Sequence, residues 1–319
     1  MNYTLPTSNQ VTVIALCFNH ARFLQECLNS IACQTFQDFQ LIVMDDCSSD
    51  NSADLIESWL STNRPNATFI RHTTNVGICK TLNEALLLSR GEFISMIATD
   101  DVWEADKIER QLKLIEGENQ NLAVIYSDAS RMDEAGNRLT PDFIEAHAPE
   151  CIRPSGNVFA ELANRNFIPA MATMIRRQAL LDVGKYDERL TFEDYDMWLR
   201  LADRYDFRHD ESVLARYRVV SNSLVRTVLF HPTAKHYYTQ FLICQKWLPS
   251  KRLNQAQFKS WSDRLWSAAY GLYCLDDDRA KSCLWQAVRY SRRPRALLLA
   301  LACSVGISRK VAKRWGGAS

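Results

Sequence analysis

The sequence predicts an α/β fold: a doubly wound, mostly parallel sheet followed by a C-terminal helical region. Three observations predict it. The first half alternates short, β-rich apolar runs with runs of helical period. The links between them are short, which sets successive strands side by side with helices on both faces. Beyond His231 the alternation gives way to helical patterning rich in Trp and Tyr.

Taken in order, Val11 to Cys17 is an apolar strand, and Phe23, Leu24, Cys27, Leu28 and Ile31 recur at helical spacing. Phe39 to Met44 is a second strand that ends in acidic residues. Ala53 to Leu60 reads as helix, Thr68 to Arg71 as extended chain, and Thr81 to Leu88 as helix. Glu92 to Ile97 is a strand, Glu104 to Glu116 a helix, and Leu122 to Tyr126 a strand. Glu134-Ala135-Gly136-Asn137 marks a surface hairpin. Ala170 to Ile175 and Ser212 to Val219 are further strands, with a helix from Tyr195 to Ala202 between them. The domain organisation expected is an α/β domain over residues 1–227 and a helical region with a basic tail over 228–319.

The bulk numbers leave room for this fold and narrow the function. With 319 residues, 47% hydrophobic and 24% charged, the chain has ample core to bury. A net charge of +1 gives no bias toward nucleic acid, so no nucleic-acid partner is expected. The charge is uneven: Ser291 to Ser319 holds seven Lys/Arg and no Asp or Glu. Ten cysteines form no C-x-x-C pair, which argues against a zinc site and for a reducing compartment. The N-terminus lacks the basic and apolar regions of a secretory signal, and no apolar run reaches the roughly 18 residues of a spanning helix.

Open α/β sheets bind ligands at the carboxyl ends of their strands. Polar clusters stand at four such ends: Phe18-Asn19, Asp45-Asp46, Asn75 and Asp100-Asp101. No G-x-x-x-x-G-K-[ST] or G-x-G-x-x-G loop exists to cradle phosphates. A diphosphate held without such a loop calls for a divalent cation on carboxylates. Asp100 is placed to hold Mg²⁺ or Mn²⁺, and Asp101 to brace the turn. Asp46 is expected to face the ligand and Asp50 to cap the helix that follows. A third cluster, Glu193-Asp194-Tyr195-Asp196, either charges the first turn of a helix or supplies a free carboxylate. An Asp near its reference pKa of about 3.9 would be ionised at neutral pH and able to take a proton. The histidines, His20 and His72 among them, read as surface or satisfied interior residues, and the C-terminal tryptophans as helix packing.

The chain resembles the family 2 glycosyltransferases, an inverting group with the GT-A fold. Val11 to Asn19 resembles the opening strand of that family, Asp45-Asp46-Cys47-Ser48-Ser49-Asp50 its "DDGSxD" turn, and Asn75-Val76-Gly77 with Asn83 its "NxG…N" helix start. Phe93-Ile94 through Asp100-Asp101-Val102-Trp103 resembles its metal motif, Glu193-Asp194 its "ED" base motif, and Tyr217-Arg218 its closing "YR". The motifs run in family order over Val11 to Arg226. The resemblance implies a nucleotide-diphosphate sugar donor, with a UDP-sugar the first choice, and a divalent metal, Mn²⁺ or Mg²⁺. It implies a saccharide acceptor, lipid-linked or soluble, in bacterial surface polysaccharide or glycolipid synthesis. Asp194, with Glu193 beside it, would be the catalytic base and Asp100 the metal ligand. Phe18, Asn19, Asp46, Arg71, Asn75 and Lys80 would bind the nucleotide.

Two departures bear on that assignment. The D-x-D-D pattern begins here with Ala98, at the position that by resemblance contacts the ribose. Val219-Val220 stand where many members carry a metal-binding His. These losses motivate a non-catalytic sugar-nucleotide-binding relative as the alternative. A sugar nucleotidyltransferase is a second alternative, which would need a glycine-rich loop that Leu16-Cys17-Phe18-Asn19 is not. At the other end, Arg292-Arg293-Pro294-Arg295 and Arg309-Lys310 flank an apolar stretch, Ala296 to Ile307, too short to span a bilayer. The expectation is a cytoplasmic protein, peripheral on an anionic membrane surface at the cytoplasmic face of the inner membrane.

Overall fold

The computed structural model describes residues 10–115, 117–220, 232–290 and 294–305. Two compact units emerge, one from the described residues up to 188 with 193–220, the other from 189–192 with the described residues beyond 231. The boundary expected near Thr227 lies outside the described residues.

The first unit is built on a nine-stranded sheet. Its parallel half consists of β1 (Val11–Cys17), β2 (Phe39–Asp45), β3 (Thr68–Arg71) and β4 (Phe93–Ala98), in the order β3-β2-β1-β4. β1 is central, pairing with β2 from Val11↔Phe39 to Cys17↔Asp45 and with β4 from Val11↔Phe93 to Leu16↔Ala98. Buried on both faces, it needs the near-continuous apolar run it has. Between these strands run α1 (Leu24–Ala32), α2 (Ser52–Asn63) and α3 (Ile78–Leu88). α1 buries Leu24, Cys27, Leu28 and Ile31, one face at helical spacing. Gly91, just before β4, is required by close approach: a Cβ there would lie 2.5 Å from the Thr12 nitrogen and 2.6 Å from the Val11 carbonyl carbon.

The parallel order ends at β4. The remaining elements are β5 (Val102–Trp103), α4 (Lys107–Ile115), β6 (Leu122–Met132), β7 (Arg138–Leu139), α5 (Phe143–His147), α6 (Phe159–Asn164), β8 (Thr173–Arg176), α7 (Arg177–Asp182), α8 (Asp194–Ala202) and β9 (Asp206–Arg218). β8 enters antiparallel between β4 and β6, β9 runs parallel to β6, and β5 closes the edge antiparallel to β9. The expected hairpin is present, with β6 and β7 paired through Met132↔Arg138 and Asp133 Oδ1 accepting from the amides of Ala135 and Asn137. β9 begins six residues before the Ser212 start read from the sequence, because Phe207 and the polar Asp206, Arg208, His209 and Asp210 pair along β6 through register shifts.

One core residue breaks the apolar rule. Lys107 is fully buried, and its ammonium donates to Ser95 Oγ (3.2 Å), Gln111 Oε1 (2.8 Å) and the Thr173 carbonyl (3.0 Å). It also lies 4.3 Å from the Trp103 ring centroid. Burial pushes its pKa well below the usual lysine value.

The second unit contains α9 (Ala234–Trp247), α10 (Gln255–Cys274), α11 (Ala280–Tyr290) and α12 (Pro294–Ser304). α10 opens with a capping box: Gln257 N donates to Asn254 Oδ1 at 2.9 Å and Asn254 N to Gln257 Oε1 at 3.1 Å. Trp247 and Trp261 are buried, as helix packing requires. α12 inverts the usual pattern: Ala296 and Ala300 are buried while Leu297, Leu298 and Leu301 face outward, Leu298 with 65% of its surface exposed. None of the ten cysteines is bridged. Among the described residues no helix is long and apolar enough to cross a membrane.

Candidate active site

The site forms where β1, β2 and β4 end, and two loops are sewn together there. Asn19 holds a left-handed conformation (φ 59°), which Asn tolerates better than most residues. Its Oδ1 accepts from the amides of Ser49 (2.7 Å) and Asp50 (3.4 Å), and its own amide donates to Ser48 Oγ at 2.8 Å. His20 N donates to Ser52 Oγ at 3.1 Å, and Ala21 N to Asp50 Oδ2 at 3.1 Å. Asp50 also accepts from Ser52 N, the first amide of α2, at 3.0 Å, while Asn51 makes no side-chain capping bond, so Asp50 both caps that amide and ties the two loops. Phe18 is left 46% exposed at the end of β1. Asn19 is therefore occupied by the protein, while the Phe18 ring is open to a ligand.

Cys47 shares the left-handed conformation (φ 65°), at the place where the "DDGSxD" turn has glycine. A Cβ there costs roughly 1–2 kcal/mol, partly offset by the freedom a glycine adds to the unfolded chain. Cys47→Gly should therefore stabilise the protein by about 0.5–1 kcal/mol. The check is the urea midpoint at unchanged slope, and a lower midpoint would mean that the thiol's packing outweighs the strain.

The acidic pair after β2 divides differently from expectation. Asp46 accepts from the amides of Val76 and Gly77 (both 2.9 Å) and meets His72 Nδ1 at 2.8 Å. Asn75 Nδ2 donates to the Asp46 carbonyl at 3.1 Å. Asp46 and Asn75 thus fasten the start of α3, where Gly77 supplies a positive φ, and His72 is a partner of this turn. The expected facing of Asp46 toward a ligand gives way to this bracing, because its oxygens meet the protein's own donors. Asp45 is fully buried; its Oδ1 accepts from Ser48 N, and its Oδ2 has no partner among the described residues. Arg71 is exposed and pairs with the exposed Asp54 at 3.1 Å, a contact of little energetic weight, and Lys80 is exposed on α3.

After β4 the chain turns through Thr99, Asp100 and Asp101. Thr99 N donates to the Leu16 carbonyl and Asp101 N to that of Ala98. Asp101 is buried, accepts from Arg218 N at 2.8 Å, and is pushed well above the usual carboxylate range by burial and by Asp100. Arg218 braces the turn further: Nε donates to the Asp100 carbonyl (2.8 Å) and Nη2 to Glu26 Oε2 (2.5 Å). The Asp100 carboxylate stays partly open, 17% exposed, with His20 Nε2 3.7 Å away. No hydrogen bond reaches that carboxylate among the described residues. His20 is thus no mere surface residue.

Glu193 and Asp194 open α8, half-buried. Asp194 Oδ2 accepts from Asn166 Nδ2 at 2.8 Å and Oδ1 from Tyr195 N at 2.6 Å. Burial and the charge of Asp194 push Glu193 up to about 8, and burial raises Asp194 as well. The expectation of an Asp near its reference pKa is corrected: desolvation raises it, outweighing the hydrogen bonds from Asn166 and Tyr195 N. The Tyr217 phenol is raised chiefly by burial, with smaller contributions from the charges of Asp101, Asp100 and Asp194. Its ring stands edge-on to Phe143 at 5.1 Å, and Phe143 stacks on His147 at 4.1 Å. The sequence reading missed the Asn166 partner of Asp194 and the place of His20 beside Asp100.

A divalent ion fits this site in one manner. Asp100 is a carboxylate with unused lone pairs, but no group of three or more His, Cys, Asp or Glu side chains able to hold a metal exists among the described residues. The chain would hold such an ion only together with diphosphate oxygens and water, as Mg²⁺ and Mn²⁺ sites commonly do.

Comparison with known proteins agrees with the geometry. An uncharacterized glycosyltransferase of Methanocaldococcus jannaschii is 27% identical over 236 residues, covering 72% of this chain and 77% of its own length. A Bacillus subtilis protein named as a glycosyltransferase of teichuronic acid biosynthesis is 25% identical over 216 residues, covering 67% and 81%. The chain spans only 36% of an uncharacterized glycosyltransferase of Rickettsia conorii. Among solved structures, Staphylococcus aureus TarS 1–349 with UDP-GlcNAc superposes with TM-score 0.62 at 19% identity, covering 88% of this chain and 81% of that one. A mannosyltransferase of Pyrobaculum calidifontis with GDP-Man and Mn²⁺ superposes with TM-score 0.58 at 16% identity, covering 95% and 82%. These structural likenesses show the GT-A fold. The family model described as "Glycosyl transferase family 2" matches residues 12–184, more than half of the chain, and this protein belongs to that family.

Proposed function

We propose that the protein is an inverting glycosyltransferase that moves a sugar from a nucleotide-diphosphate sugar, a UDP-sugar first, to a saccharide hydroxyl. The observation that carries the reading is the Asp100 carboxylate at the end of β4, left partly open with no hydrogen bond on it among the described residues. A sugar transfer needs such a group beside a base, and Asp194, held by Asn166, is the base candidate. The exposed Phe18 ring would take the base, with Arg71 and Lys80 at the β3–α3 end of the site and the Asp45–Asp46 turn beneath. Asp194, held by Asn166, would accept the proton of the attacking hydroxyl, and Glu193 would carry the proton the pair retains near neutrality. Mn²⁺ or Mg²⁺ on Asp100, when bound with the donor, would offset charge on the leaving diphosphate. Donors seen in the structural neighbours, UDP-GlcNAc and GDP-Man, set the range to try. The name of the Bacillus relative favours surface polysaccharide as the destination. The experiment is a thermal-shift screen of UDP- and GDP-sugars with Mn²⁺, followed by NMR of the product's anomeric proton. Inversion of the donor's anomeric configuration is expected, and retention would overturn the mechanism.

The acceptor is proposed to be lipid-linked, with the protein peripheral on the cytoplasmic face of an anionic membrane. The described part of the tail supports this. Leu297, Leu298, Leu301 and Val305 are exposed, and Lys281, Trp285 and Arg289 recur every four residues on α11. Trp285 Nε1 donates to Ser304 Oγ at 2.9 Å, which joins the indole to the leucine-bearing helix. From Arg279 to Ser319 there are ten Lys/Arg and no acidic residue. The basic flanks Arg292-Arg293 and Arg309 to Arg314 lie outside the described residues. Leu298→Glu with Leu301→Glu should cut co-sedimentation with anionic vesicles by about tenfold or more, and binding of the unaltered chain should fall with salt as the Debye length shrinks from about 10 Å at 0.1 M to about 3 Å at 1 M. Binding indifferent to the substitutions and to salt would leave the leucines as an ordinary exposed face.

A further inference from the structure

We propose that His20 is the second protein ligand of the divalent cation, taking the place of the histidine that this chain lacks after Tyr217-Arg218. The inference rests on the metal reading of Asp100 and adds to it a residue from a different loop.

Three features carry it. The first is position. His20 Nε2 stands 3.7 Å from Asp100 Oδ2, too far for a hydrogen bond, so the two groups face each other without satisfying each other. The second is fixation. The other ring nitrogen, Nδ1, meets Thr99 Oγ1 at 3.1 Å, and Thr99 is itself fully buried. A hydrogen bond from Nδ1–H to that hydroxyl leaves the Nε2 lone pair directed at Asp100, the arrangement by which outer partners orient ligating imidazoles. The main chain of His20 is held independently, through its amide to Ser52 Oγ and through the neighbouring Asn19 and Ala21 contacts. The third is the gap it fills. Val219 and Val220 offer no donor side chain, and the Val219 amide is bonded to the Met132 carbonyl.

The chemistry narrows the cation. An imidazole nitrogen beside a carboxylate suits Mn²⁺ or another first-row ion better than Mg²⁺, which prefers oxygen ligands. His20 thereby makes the site selective for a transition ion, where Asp100 alone would accept either.

The test is electron spin-echo envelope modulation of Mn²⁺ bound to the full chain with UDP. Modulation from a directly coordinated ¹⁴N is expected in the unaltered protein and absent in His20→Gln. The same variant should bind Mn²⁺ about tenfold more weakly in the presence of UDP while binding Mg²⁺ nearly as before. Its fold is checked by the thermal midpoint, since the loop contacts other than that to Thr99 run through main-chain amides the substitution keeps. Nitrogen modulation missing from the unaltered protein, or persisting in His20→Gln, overturns the assignment to His20. If Mn²⁺ binds with UDP but shows no nitrogen, only His20 is excluded and Asp100 stands. If UDP binds without regard to Mn²⁺, the metal reading fails and this inference with it.

Discussion

Asp194→Asn lowers turnover by about 10²-fold or more while donor binding and the fold persist. Asparagine keeps the shape and can still meet Asn166 and the Tyr195 amide, so the loss falls on the proton transfer. A second, opposite effect accompanies it. In the folded chain burial raises both Glu193 and Asp194, and the charge of Asp194 helps to push Glu193 up to about 8. Raised carboxylate pKa values mean that the folded state binds more protons than the unfolded state between the ordinary value near 4.5 and about 8. Stability from this pair is therefore present at low pH and is lost as pH rises through that window. Removing the charge of Asp194 relieves Glu193, so Asp194→Asn should melt higher than the unaltered protein at pH 8 and show less difference at pH 5. Turnover of the unaltered enzyme should climb with pH as the pair gives up its proton. Unchanged turnover in Asp194→Asn would move the base to Glu193; a lower melting point at pH 8 would contradict the like-charge account.

Asp100→Ala is expected to abolish the metal dependence of donor binding. The Asp100 carboxylate is the open acidic group of its turn, Asp101 being buried against Arg218 N and raised toward its neutral form. Calorimetry should show donor affinity in Mn²⁺ falling to the value measured in EDTA. Equal affinity in Mn²⁺ and in EDTA for the unaltered protein would remove the metal role. Asp100 is also among the causes that raise Asp101. Taking it away should lower the Asp101 pKa, so the variant should be no less stable than the parent. Both acidic pairs thus hold like charges together in partial burial, an arrangement that favours chemistry over stability. Ala98→Asp, restoring the "D-x-D-D" pattern, should tighten donor binding by about 1 kcal/mol for one added hydrogen bond.

The parallel half of the fold was legible because its signals are local. β1 is a buried apolar run, α1 shows its buried face at helical spacing, and the Asp45-Asp46 and Asp100-Asp101 pairs stand at the ends of β2 and β4. The "DDCSSD", "ATDD" and "YR" segments could be read in order for the same reason. The pairings that make the site were not legible, since they join distant residues. His20 meets Thr99 79 positions away, and Arg218 reaches Glu26 across 192. Neither is written in periodicity. Asp46 misled because a carboxylate at a strand end looks alike whether it faces a ligand or, as here, the amides of Val76 and Gly77. The early start of β9 was hidden by polar residues that pair along β6 despite their composition.

The buried ammonium of Lys107 carries a consequence for how the chain can be modified. An acyl group on that nitrogen would erase the charge, remove two of its three N–H donors and add atoms where Trp103 and Gln111 already pack. A chain acylated there before folding could not bring α4 onto β4 and β8. Once the sheet has closed, amine-directed reagents reach Lys107 only through openings that expose the core, whereas Lys80 on the surface reacts at once. The labelling rate at Lys107 relative to Lys80 is thus a built-in clock for core opening, readable by mass spectrometry with no added probe.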